Sequence, residues 1–261
     1  MELAGKVTLI TGASRGIGAA TAAALRARGA RLALTARSAA ALRETAGPED
    51  LWVAGDLCDD EFRAALVERA LERWGRIDVL INNAGVGLYA PTWEAPPGLA
   101  RQLFELNWFA PVDLARRVIP PMRARRSGVI VNISSIAGQI PLPWFTLYSA
   151  SKAALLALSD GLRMELAGSG VRVMAVCPGY VATGFQQHAL GGIPPARLVS
   201  GKRFALSAEA CAGAIVRGLE REARLVVTPP LGRWLTRLYR LAPRLVEARL
   251  RRMHAAHEDS P

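Results

Sequence analysis

A short apolar run at residues 6–10 (KVTLI) leads directly into TGASRGIG at residues 11–18, and an Ala-rich helical pattern follows. A chain built this way turns sharply from a strand into a helix. Gly12 permits the tight bend, Gly16 lets the backbone approach a pyrophosphate, and Gly18 lets the helix pack closely on the strand. With a strand before it and a helix after it, the glycine triplet reads as a dinucleotide-binding turn.

The alternation begun there continues along the chain. Apolar runs at residues 6–10, 31–35, 51–54, 78–81, 129–133, 171–176 and 225–228 read as seven strands, and helical periodicity fills residues 16–28, 60–74, 98–126, 148–167 and 207–220. Strands alternating with crossover helices predict an α/β fold: a doubly wound, mostly parallel seven-stranded sheet with helices on both faces. Without a Pro/Gly/Ser-rich linker or internal repeat, residues 1–230 are expected to form one dinucleotide-binding domain. Residues 231–261 are expected to add a basic amphipathic helical extension, not an independent domain. Residues 184–205, with Gly191, Gly192, Pro194 and Pro195, lack a clear period and are expected to form a mobile loop over a site.

Composition enters through charge. The 261 residues carry 33 basic and 22 acidic side chains, a net +11, and are 51% hydrophobic, which excludes a disordered chain. Basic charge admits nucleic acid, an anionic membrane or a phosphorylated ligand as partner. No nucleic-acid recognition module is present, so no nucleic acid is expected. Cys58, Cys177 and Cys211 lie far apart without His at ligand spacing, so neither a disulfide framework nor a metal site is expected. Neither a signal peptide nor a spanning segment is legible, so the expected location is the cytoplasm.

A Tyr–Lys pair, by itself often no more than a surface or core pair, is a candidate for chemistry once Ser135 is set beside it. Tyr148 and Lys152 are four residues apart in a helical segment and project from one face. A nearby ammonium is expected to lower the phenol pKa and make Tyr148 a usable proton donor and acceptor. Ser135 lies just beyond the strand VIVNI, where its hydroxyl can hold a substrate oxygen, while Ser134 reads as a turn hydroxyl. The second strand ends in Ala36-Arg37, where a ribose-binding carboxylate would favour NAD. Arg37 and Arg15 together suit a 2′-phosphate, so NADP(H) is expected over NAD(H).

TGASRGIG, NNAG at residues 82–85, Ser135 and YSASK at residues 148–152 together resemble the short-chain dehydrogenase/reductase family, in its shorter single-domain branch. The resemblance implies a Rossmann-type fold, hydride transfer between NADP(H) and a carbonyl or alcohol, and a catalytic tetrad of Asn107, Ser135, Tyr148 and Lys152. It makes Asn107 the holder of a water that relays protons through Lys152. Cofactor binding is implied for Gly12, Ser14, Arg15, Gly16, Ile17, Gly18, Arg37, Asp56, Leu57, Asn83, Ala84, Gly85, Tyr148, Lys152, Pro178, Gly179, Val181 and Thr183. In that set Asp56 meets the adenine edge, and Val181 and Thr183 meet the carboxamide. A homodimer or homotetramer is expected. The alternative is a non-catalytic NADP(H) sensor or scaffold, against which the complete tetrad counts.

Leu88, Trp93, Leu142, Trp144, Phe145 and Phe185 either line an apolar substrate pocket or serve packing and subunit contacts. Cys177 ends a buried strand and reads as a core thiol. In the segment 231–253, seven Arg accompany one acid, and Trp234, Leu238, Leu241 and Leu245 recur at spacings of four, three and four. Pro243 is expected to split or kink this helix. Its apolar stripe either packs on its own domain or a symmetry mate, or docks on an anionic membrane with Trp234 as anchor.

Overall fold

The structure, a computed structural model of the chain, describes residues 1–192 and 205–258. All seven expected strands form: β1 (Val7–Thr11), β2 (Arg31–Ala36), β3 (Leu51–Ala54), β4 (Val79–Asn82), β5 (Gly128–Ile133), β6 (Val171–Pro178) and β7 (Leu225–Thr228). Every neighbouring pair is parallel, in the order β3-β2-β1-β4-β5-β6-β7. The order reverses between β1 and β4. In such a sheet a crevice opens outside the carboxyl ends of the strands at that switch point.

Helices cover both faces, which is why the strands are continuous apolar runs. Helix α1 (Gly16–Arg26) and α7 (Ala208–Glu220) bury Leu25, Ile215 and Val216 against Ile10, Ile81 and Val131. On the opposite face α3 (Asp60–Trp74) and α5 (Ala110–Ala124) bury Leu66, Leu114 and Val118 against Leu9, Leu80 and Ile130. A short helix the periodicity did not reveal, α2 (Ala39–Thr45), is started by Ser38, whose hydroxyl accepts from Ala41 N.

One long helical expectation changes shape and another holds. Residues 98–126 are not one helix: α4 (Pro97–Phe104) passes through a π-helical turn, Glu105–Phe109, into α5. The tail splits at Ala242, as Pro243 foretold, into α8 (Pro230–Leu241) and α9 (Pro243–Glu258). The expected helix over residues 148–167 is α6 (Thr146–Glu165). Of the expected loop over 184–205, residues 193–204 lie outside the described residues. Residues 184–192 run beside the site, with Leu190 bridging Leu88 and accepting from Tyr89 N at 3.2 Å.

Candidate active site

The glycine turn sits at the switch point. Gly12 has φ +65°, and a Cβ there would stand 2.9 Å from Ala84 Cα. A Cβ on Gly18 would stand 2.2 Å from the Gly12 carbonyl oxygen, so only glycine lets α1 start this close to β1. Arg15, the residue before α1, caps no backbone group with its side chain, and the first turn of α1 holds no acid. Its N–H groups are open to an anion. The same turn brings Gly16 against Thr183, whose Cγ2 lies 3.0 Å from a Cβ built there.

The NNAG segment braces this turn. Thr11 Oγ1 accepts from Asn83 N and Ala84 N, both at 3.0 Å, and Asn83 Nδ2 donates to the carbonyls of Thr11 and Gly12. Asn83 therefore spends its amide shaping the loop. Asn82 continues inward to Asn132 and from there to Ser159, a buried polar chain tying the end of β4 to α6 (Thr146–Glu165). Thr11, Asn132 and Ser159 had no local sequence signal; only the parallel register brings them together.

The other residues expected to bind the cofactor differ in their surroundings. Asp56 is exposed and accepts from Cys58 N, whereas Leu57 is buried and its carbonyl takes a 2.6 Å bond from the buried guanidinium of Arg63. Ser14 offers its carbonyl to Thr45, and Ile17 packs on the core. Gly179 N donates to Thr228 O, and Pro178 O accepts from Ser135 Oγ at 3.5 Å. Val181 bridges Leu206. Arg37 is exposed with no hydrogen bond or ion pair among the described residues. Arg15 Nη1 lies 2.5 Å from His188 Nε2, while His188 Nδ1 meets Gly184 O at 2.6 Å.

The four expected catalytic residues converge on the same edge. The π turn carries Asn107 into the interior, where it is fully buried. Its Oδ1 accepts from Val86 N, and its Nδ2 donates to Val86 O and Ser151 Oγ. Ser151 in turn donates to the Tyr148 carbonyl. Lys152 is buried, donates to Ile133 O at 3.0 Å and lies 5.9 Å from the Tyr148 ring centre. A Cβ on Gly85 would stand 3.1 Å from both Asn107 Oδ1 and Lys152 Nζ, so these two groups face one another across Gly85. Ser134 is the turn hydroxyl, donating to the Lys152 carbonyl, and Ser135 caps the short 3₁₀ turn Ile136–Gly138.

Electrostatics differ from the sequence expectation in one respect. Burial pushes the Tyr148 phenol up to about 12, opposed by its hydrogen bond with Ser135. Lys152 does not reverse that rise within the chain's own charges; its own ammonium is pushed down to about 8 by burial. Cys177, raised to about 11 by burial, accepts from Gln139 Nε2 and is a core thiol rather than a nucleophile.

Around Tyr148 stand aromatic rings. Phe145 and Phe185 lie 5.9 and 5.7 Å from it, and Tyr89 lies 5.2 Å from Phe145 and 5.4 Å from Trp144. Tyr89 was not anticipated. Two of the expected pocket residues are elsewhere: Leu88 is sealed in the interior, and Trp93 is 82% exposed. Leu142 is exposed at the rim. Tyr89, Trp144, Glu94 and Gly191 line a cleft of about 470 Å³ beside this wall. A larger cleft, about 560 Å³, lies at the amino-terminal ends of β5 and β6, where Arg172 is paired with Glu222 and Arg224 with Asp160. It is remote from the tetrad.

The family described as short chain dehydrogenase matches residues 6–191, a span that holds the glycine turn, NNAG, and all four tetrad positions. The chain belongs to the short-chain dehydrogenase family. It has the family's oxidoreductase fold and nucleotide-binding architecture. Ketoacyl reductase HetN of Nostoc is 39% identical over 186 residues, covering 69% of this chain and 65% of that protein. The chain spans 60 to 65% of the length of the first curated relatives it matches. A short-chain dehydrogenase/reductase from Burkholderia phymatum in complex with NAD superposes with a TM-score of 0.84 at 28% identity, covering 94% of this chain and 96% of that one. A short-chain dehydrogenase from Burkholderia cenocepacia in complex with NADP gives 0.80 at 32% identity, with 96% and 99% covered. Family members bound to either dinucleotide thus share this architecture.

Proposed function

We propose that this short-chain dehydrogenase is an NADP(H)-dependent carbonyl reductase, reversible as an alcohol dehydrogenase, acting on an apolar substrate. The observation that carries the reading is the convergence of Ser135, Tyr148, Lys152 and Asn107 beside the glycine turn at the switch point.

The residues present fit a dinucleotide. The close approach of Gly12 and Gly18 leaves a cradle that a Cβ would fill, and the unclaimed N–H groups of α1 suit a pyrophosphate. Arg37, free of any partner among the described residues, supports the preference for a 2′-phosphate. The bound nicotinamide supplies the hydride.

The chain's own groups handle the oxygen and its proton. Ser135 Oγ holds the substrate oxygen as charge develops on it, and Tyr148 Oη gives that oxygen its proton. Burial disfavours the phenolate, so Tyr148 stands protonated as the reductive direction requires. Lys152 and Asn107, facing each other across Gly85, mark the route by which Tyr148 regains its proton. Phe145, Phe185 and Tyr89 keep water from the reacting carbonyl and favour apolar or aromatic substrates. The reading also includes a cytoplasmic location and a homodimer or homotetramer, which light scattering tests.

The test is NADPH oxidation against aromatic ketones, aldehydes, steroid-like ketones and 3-oxoacyl thioesters. Turnover with at least one apolar carbonyl supports the reading. NADPH binding without turnover on any of them would sink it.

A further inference from the structure

Helix α8 has three faces. One rests on the body of the protein: Gly232 and Thr236 are buried, and a Cβ on Gly232 would stand 2.3 Å from Ile136 Cδ1, next to Ser135. The second carries Arg233, Arg237 and Arg240, all exposed. The third gathers Leu231, Trp234, Leu235, Leu238 and Leu241, whose exposures are 58, 67, 44, 42 and 86%. At 100° per residue these five fall within one third of the helix circumference. The apolar stripe of a surface helix ordinarily faces inward, so α8 is turned inside out. Leu245 of α9, 63% exposed, extends the patch, while Val246 at 7% holds α9 to the body.

The stripe therefore does not pack on its own domain. Charge separates the remaining occupants. Seven Arg stand against Glu247 alone between residues 231 and 253. A second copy seated on the same face would bring one Arg row toward another, with little acid to offset them. An anionic lipid surface supplies the missing negative charge and also accepts the leucines. Trp234 has the matching character, with its ring exposed and the Arg237 guanidinium 5.3 Å from the ring centre. No helix among the described residues is long and apolar enough to cross a membrane, and α8, at 12 residues, is suited to lying in the interface.

We infer that α8 and the first turn of α9 dock the protein flat on an anionic lipid surface, with Leu231, Trp234, Leu235, Leu238 and Leu241 in the headgroup boundary and the arginines at the phosphates. The opposite side of α8 touches Ile136, so docking sets the lipid surface close to the edge of the sheet that bears Ser135. The docking itself stands independently of the reaction assigned to that edge.

Sedimentation of the full chain with phosphatidylcholine vesicles, with and without phosphatidylserine, tests this. The full chain is expected to pellet with phosphatidylserine vesicles and to be released by high salt. Arg237→Gln with Arg240→Gln should weaken the partition by on the order of twentyfold. Leu238→Glu with Leu241→Glu should abolish it, with circular dichroism and the melting temperature unchanged because both sites are exposed. Absence of pelleting by the folded full chain, equal pelleting without phosphatidylserine, or variants that pellet like the parent would overturn the inference. So would a full-chain dimer that ignores vesicles and is dissociated by the Leu238→Glu, Leu241→Glu pair, which would make the face a contact between copies.

Discussion

The Lys152 ammonium lies 5.9 Å from the centre of the Tyr148 ring while it donates a 3.0 Å hydrogen bond to the Ile133 carbonyl. The bond orients the cation beneath the ring, and burial of the pair sets the protonation behaviour of the site. Burial opposes the ammonium and the phenolate alike, which moves Lys152 down to about 8 and Tyr148 up to about 12.

These shifts fix a pH dependence of stability. The folded chain gives up the Lys152 proton near pH 8, whereas the unfolded chain keeps it to about 10.5, so the unfolded state holds more protons between those values. Stability therefore rises with pH across that window, relative to Lys152→Met, and the full penalty for the buried charge applies below it. Tyr148 acts oppositely, lowering stability from pH 10 toward 12. Urea denaturation of the parent and Lys152→Met from neutrality upward measures the difference. A pH-independent difference would contradict the assigned shift of Lys152.

Gly18→Ala should abolish dinucleotide binding. Its Cβ would meet the Gly12 carbonyl oxygen at 2.2 Å and Asn83 Nδ2 at 2.5 Å, neither of which is the end of a flexible side chain free to move. The turn must open, with loss of measurable NADPH fluorescence enhancement. Retained affinity would show that the cradle lies elsewhere.

Arg37→Ala should weaken NADPH binding by about tenfold to a hundredfold, the scale of one lost charge-assisted hydrogen bond, and leave NADH binding unchanged. Arg15→Ala should do less, because its guanidinium is engaged with His188. Titration of both variants with both dinucleotides decides. Equal losses for NADH and NADPH would remove Arg37 from any role in choosing between them.

The Asn107 amide satisfies both backbone groups of Val86 and the Ser151 hydroxyl. Asn107→Ala leaves these groups short of partners, at about 1–3 kcal/mol for each buried one. The melting temperature should fall by several degrees, at about 2–4 °C per kcal/mol for a chain of this size. Asn107→Asp, which sets an acceptor against the Val86 carbonyl in place of the donating Nδ2, should not restore the stability.

The elements that set the fold were legible because their causes are local. KVTLI and the glycine turn each declare themselves within a few residues, NNAG stands out only through the family resemblance, and parallel strands buried on both faces must read as apolar runs. The spacing of Tyr148 and Lys152 likewise needs only one helix. The π turn was not legible, since Glu105–Phe109 continues an amphipathic pattern, and the extra residue per turn shows only in the backbone. Tyr89 was hidden for another reason: its place in the aromatic wall depends on residues 55 and 56 positions away, Trp144 and Phe145. Trp93 misled because an aromatic near the site in sequence is turned to solvent. The contact of Arg15 with His188 was not legible because His188 sits in a loop without a periodic signal.

The most direct test of the central claim is Tyr148→Phe, measured by NADPH oxidation with the best carbonyl substrate alongside NADPH affinity. The substitution removes one hydroxyl and leaves the ring that packs on Phe145 and Phe185. Turnover should fall by about a hundredfold to ten-thousandfold, the span of a lost general acid, with NADPH affinity unchanged. Turnover close to that of the parent would remove Tyr148 as the proton donor and contradict the account.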